Sequence, residues 1–190
     1  MNSIPRHLTA LILFFAWIFA AFFSVIPISS CSPHPDAREL FFFRSSDLTA
    51  TVTVKCNGIE SQAVYRRENG RETLSLTAPE ELKDLVFTTE NGAVTLSLDG
   101  LSVVAPQPLT VLPSICTKIF SPSPENVTAA EPVYNGTNGT LTKVTVGGIA
   151  LTLDENGIPV LAEGAVDGIP FSAEIRDFAV ITAENADNGE

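Results

Sequence analysis

Histidine is nearly absent from this 190-residue chain: there are two, His7 and His34. Neither belongs to the part of the sequence that reads as a folded domain. A Ser-His-Asp or Cys-His arrangement therefore has no base there, and zinc sites built on imidazole are disfavoured for the same reason. Basic side chains are scarce too. Eleven Lys and Arg stand against 22 Asp and Glu, a formal net charge of −11. An acidic surface repels phosphate backbones, which argues against nucleic-acid binding. It also lacks a polybasic patch for anionic head groups, so any membrane attachment must come from an anchor. Tryptophan occurs once, at Trp17. Five of the 12 Phe join it in the first 30 residues, so whole-chain hydropathy overstates how apolar the remainder is.

What is there begins with an address. Arg6 and His7 precede an uncharged stretch, Leu8 to Ser30. A short positive region followed by an apolar one is the order of an export signal. The run is also about long enough to span a bilayer as an uncleaved anchor, for which ~20 residues are needed. Both readings leave Arg6 inside and residues 32–190 outside. The stretch ends in Ile28-Ser29-Ser30-Cys31. This resembles the bacterial lipobox, an aliphatic residue and two small ones before a cysteine. The resemblance implies cleavage after Ser30 and a diacylglycerol thioether on Cys31, often with a further acyl chain such as palmitate. Two or more chains hold far more firmly than one. Residues 1–30 then form a signal peptide, and residues 31–190 carry −12, because Arg6 is the only charged side chain removed. Ser32 after the lipidated residue permits sorting to an outer membrane, if the cell has one.

Residues 31–46 read as a tether, with Pro33 and Pro35 favouring extended chain. Leu40-Phe41-Phe42-Phe43 interrupts it. That run reads as a short element docking on the core, or as an apolar lip near a membrane or ligand mouth.

From residue 47 to 182 the pattern has a period of two. Leu48, Ala50, Val52, Val54 and Cys56 alternate with Asp47, Thr49, Thr51, Thr53 and Lys55, the pattern of a half-buried strand. Similar runs recur, separated by Asn57-Gly58, Asn69-Gly70, Asn91-Gly92, Asn156-Gly157 and Asp167-Gly168. Asn-Gly and Asp-Gly favour two-residue hairpin turns, because both central residues need positive φ. Sequential strands should therefore be antiparallel neighbours. Between the two runs of hairpins, Leu109, Leu112, Ile115, Cys116 and Ile119 recur at helical spacing, with Pro113 breaking or restarting the helix. Pro106 to Phe120 reads as one kinked helix or two short ones. Residues 121–139 read as a long loop, and residues 183–190 as an acidic tail.

The expected fold is mainly β: a curved antiparallel sheet, a half-barrel of about nine strands, wrapped around a short helical segment. In order and patterning, residues 40–182 resemble the LolA/LolB-like fold of periplasmic lipoprotein carriers and outer-membrane lipoprotein receptors. The stretch from Pro79 to Leu85 is also similar to uncharacterised lipoproteins of anaerobic Gram-positive bacteria. The resemblance implies a non-enzymatic binding protein without a cofactor. An apolar ligand or lipid would lie in the concave face, with Leu109, Leu112, Ile115 and Ile119 as ligand face or cover. The alternative is a structural or regulatory module with a protein partner in the cell envelope.

Cys56 and Cys116 both fall on apolar faces. They read either as a disulfide, closing a loop worth ~4 kcal/mol, or as two buried free thiols. The acidic pairs Glu80-Glu81 and Asp154-Glu155 sit at breaks between strands and read as solvated turns, as does the basic cluster Arg66, Arg67 and Arg71.

Overall fold

The computed structural model describes residues 40–134 and 140–182. The signal segment, Cys31, most of the tether and the acidic tail lie outside the described residues. Among those described, no helix is long and apolar enough to cross a membrane.

One antiparallel sheet of eleven strands makes up the domain. The first meander comprises β1 (Leu48–Cys56), β2 (Ile59–Glu68), β3 (Arg71–Ala78), β4 (Val86–Glu90), β5 (Ala93–Leu98) and β6 (Leu101–Val104). A 3-10 turn, Gln107–Thr110, then runs directly into helix α1 (Val111–Phe120). The second meander comprises β7 (Val127–Tyr134), β8 (Thr140–Val146), β9 (Ile149–Leu153), β10 (Pro159–Val166) and β11 (Ile169–Val180). The two join through β1 and β11, with Val52 opposite Ile175 and Val54 opposite Ala173. The spatial order is therefore β6-β5-β4-β3-β2-β1-β11-β10-β9-β8-β7, and among the described residues β6 and β7 are the edges.

The turns form as their sequences dictate except at Asn156-Gly157, which lies in a five-residue connection, 154–158, where only the glycine is left-handed. Asn57, Asn69, Asn91, Asp99 and Asp167 each take a φ near +50°, and the glycine that follows each is also left-handed. Period-two alternation does the rest. Val52, Val54 and Leu151 are buried, and Leu96 packs partly buried against the same core. Near the end of β11 the register shifts and Asp177 takes a φ of +50°. This bulge breaks the alternation after Ile175 and returns Phe178 to the apolar side, where it meets Phe43 and Phe120.

Eleven strands at their usual spacing would span about 48 Å if flat. A ten-residue helix is only about 15 Å long. The buried side chains nonetheless come from both meanders and from α1, in a single cluster. The sheet must therefore curl around the helix to shelter its apolar face.

Two expectations need correction. There are eleven strands where about nine were expected, and residues 121–139 are not one long loop. The first missed strand, β6, is short and follows the Asp99-Gly100 turn. The second, β7, contains Pro132 and Glu131. A proline normally counts against a strand, but an edge strand tolerates one, and β7 is an edge. Leu40–Phe43 docks on the core: Phe41 and Phe43 are buried and Phe42 is exposed.

Candidate functional site: an apolar cavity at one end of the helix

The C-terminal end of α1 is clamped to the sheet. Arg67 is only 6 % exposed. Its guanidinium donates to the carbonyls of Ser46 (2.9 and 2.7 Å), Phe43 and Phe120 (3.2 Å), and to Ser121 Oγ (2.7 Å). It thus satisfies a carbonyl at the negative end of the helix dipole. Glu72, opposite Arg67 across β2 and β3, accepts from Thr117 Oγ1 at 2.6 Å and Ser121 Oγ at 3.4 Å. Phe120 stacks on Tyr65 with centroids 4.4 Å apart. The reading of Arg67 as a solvated turn residue is therefore wrong. Alternation carries the explanation: Ala63, Tyr65 and Arg67 share one face of β2, and that face is buried.

The N-terminal end of α1 is different. No side chain caps it, and no acidic residue lies in its first turn. Pro113 is tolerated here because the third helical residue has no intrahelical acceptor for its N–H. Beneath this end lies an apolar cavity of about 280 Å³. Its floor is built by Val54 and Cys56 of β1, Leu76 of β3 and Phe87 of β4. Its roof is Leu109, Val111, Leu112 and Ile115. Its side wall is the excursion between β3 and β4. There Asp84 N donates to Leu76 O and Leu76 N donates to Leu85 O, which folds Leu82 and Leu85 over the cavity. Ile59, Leu82 and Leu109 line it and are also exposed, so they form an apolar rim. Among the described residues, the polar side chains lining it are the Cys56 thiol and the uncharged Asn57 and Ser61.

Of the four residues expected to form a ligand face or cover, Leu109, Leu112 and Ile115 line the cavity. Ile119 is fully buried in the core instead. The disulfide reading is not realised, and both thiols are free. Cys56 lines the cavity, whereas α1 turns Cys116 toward Tyr65 and Glu72, around a void of about 10 Å³. Burial there, with the Glu72 charge adding to it, pushes the Cys116 thiol up to about 12. The Tyr65 hydroxyl faces the same void near Glu72, is buried, and makes no hydrogen bond among the described residues. Burial, then the Glu72 charge, raises its pKa as well. Asp154 accepts from the amides of Asn156 and Ile158, an ordinary turn-closing role.

No protein-family model matches the chain, and no curated protein matches it. Solved structures do match. An uncharacterized conserved protein from Thermus thermophilus aligns at a TM-score of 0.50 and 14% identity, over 80% of this chain and 91% of that one. MucB aligns at a TM-score of 0.48 and 14% identity over 80% of this chain, which spans 61% of MucB. The LolA superfamily protein NE2245 from Nitrosomonas europaea aligns at a TM-score of 0.38 and 11% identity, over 80% of this chain and 93% of that one. At these identities the likeness is one of fold.

Proposed function

We propose that the protein is an extracytoplasmic, non-enzymatic binding protein, anchored by lipid on Cys31, that takes an acyl chain into the cavity beneath the start of α1. The observation that carries this reading is the cavity's lining. Its surface is almost wholly hydrocarbon, and its rim keeps three large apolar side chains in contact with water. Each methylene transferred there would contribute ~0.8 kcal/mol. At about 280 Å³ the space stands at the small end of ligand pockets, which suits part of one chain rather than a whole lipid. Among the described residues, no carboxylate or imidazole lines it.

The test is titration with a fluorescent medium-chain fatty acid. The expected result is saturable binding at one site, weakened about tenfold or more in Leu112→Trp, which fills the roof. Absence of saturable binding would remove the ligand reading. The anchor is tested separately: incorporation of labelled palmitate in cells should vanish in Cys31→Ala. A second reading, a protein-interaction module of the envelope, draws on the exposed apolar edge at β6. Crosslinking in cells that recovers a constant protein partner, with the cavity empty, would favour it.

A further inference from the structure

The two free edges of the sheet are built differently. Edge strand β7 carries Glu131 and Pro132, a charge and a missing donor, both of which discourage further pairing. Edge strand β6 has no such device. Its four residues, Leu101-Ser102-Val103-Val104, are uncharged and all exposed: Leu101 by 77%, Val103 by 59% and Val104 by 78%. Between Asn91 and Thr117 the only charged residue is Asp99, on a chain whose net charge is −11.

The register says which backbone groups are free. Leu101 faces Leu98 across a two-residue turn, Val103 faces Leu96, and Ala105 N donates to Val94 O. Hydrogen-bonded pairs alternate along an antiparallel ladder. Ser102 and Val104 therefore point their N–H and C=O groups outward, and Pro106 ends the row.

We propose that β6 is a dimerisation edge that pairs, antiparallel and two-fold symmetric, with β6 of a second copy. Centred on Val103, such pairing places Ser102 opposite the partner's Val104, and each pair exchanges two hydrogen bonds. The two Val103 side chains meet on the axis, on the same face as Leu96. Asp99 falls opposite the partner's Gln107, so the lone acid of each edge meets no acid. This neutral strip is where two copies of a strongly acidic chain can approach without juxtaposing like charges. Closed two-fold pairing also uses up both unprotected edges, whereas head-to-tail pairing would leave one open.

The experiment uses residues 31–190 with Cys31→Ser, which carry the whole sheet without the apolar segment or the lipid, followed by sedimentation velocity over a concentration series. The expected result is a dimer whose fraction rises with concentration. Val104→Pro removes one outward N–H per chain without touching a bond of the β5–β6 hairpin. It should weaken association about tenfold or more, the effect of losing two interchain hydrogen bonds. On the two-fold axis, directly opposed residues of a non-hydrogen-bonded pair lie about 4.5 Å apart, within disulfide reach. Val103→Cys should therefore form a covalent dimer under mild oxidation, and Val104→Cys should not. A chain monomeric at every concentration overturns the proposal, as does a dimer untouched by Val104→Pro. If Val104→Pro does not fold, the two cysteine variants decide alone. Equal crosslinking by both, by neither, or an edge that captures an unrelated extended peptide while staying monomeric would also overturn it.

Discussion

The two ends of α1 differ in what holds them. At Phe120 the helix is fixed by a buried guanidinium, a carboxylate, two hydroxyls and stacked rings. At Val111 no side-chain cap bond is made among the described residues, and apolar side chains lie over space that is not filled. Directional bonds fix one geometry, while apolar contacts tolerate several. On the proposed reading, the same ten residues serve as an anchor at one end and as a cover that can yield at the other.

The largest effect is expected from Arg67→Ala. It strips the buried carbonyls of Phe43, Ser46 and Phe120 of a donor and leaves Glu72 without its neighbouring charge. A loss of about 3–5 kcal/mol is expected, read as a lower urea midpoint. Paired truncations sharpen the contrast. Ile119→Ala, in the clamped core, should cost about 3 kcal/mol. Leu109→Ala, on the exposed rim, should cost about 0.5 kcal/mol or less and act on ligand affinity instead.

Alkaline pH acts on the clamped end. Cys116 titrates near 9.0 when unfolded and about 12 when folded, so across that window the unfolded chain holds fewer protons. Stability present below pH 9 is then lost as pH rises toward 12. A melting temperature that falls over this range, and falls less in Cys116→Ala, is the expected outcome. A Cys116→Ala variant with the same slope as the parent would refute the assignment. Tyr65, whose pKa is also raised, adds a parallel loss above pH 10. Tyr65→Phe is the one variant expected to lose no stability. Deleting a buried hydroxyl that has no partner should leave stability unchanged or raise it by about 1 kcal/mol. A loss of that size would mean that the void holds a water bridging Tyr65 to Glu72.

Much of the fold was legible because turn chemistry and alternation agreed. Asn57-Gly58 and Asn69-Gly70 lie between runs whose apolar faces coincide, so hairpin, register and burial follow together. The strands that escaped were those where local signals conflict with position. β7 holds a proline that only an edge allows, and β6 is too short to show a period. The helical segment was visible from Leu109 to Ile119, and three of the four residues singled out there, Leu109 in the 3-10 turn and Leu112 and Ile115 in α1, line the cavity. Cys56 was read by its face alone. Its place at the cavity's floor depends on the Pro79–Leu85 excursion folding back onto Leu76, a contact that no local pattern in β1 announces. Arg67 was missed for a simpler reason. Its charge suggested solvent, although its position in the Ala63-Tyr65-Arg67 alternation placed it inside.

The acyl-chain reading is tested most directly at Cys56, in a Cys31→Ser variant whose remaining thiols are Cys56 and Cys116. The measurement is the rate of thiol labelling with and without a saturating medium-chain fatty acid. Cys56 lines the cavity and is half-buried, so it should label in the free protein and slow about tenfold or more when the chain is bound. Cys116, fully buried and protonated, should stay unlabelled in both. A Cys56 rate unchanged by the fatty acid would contradict the account.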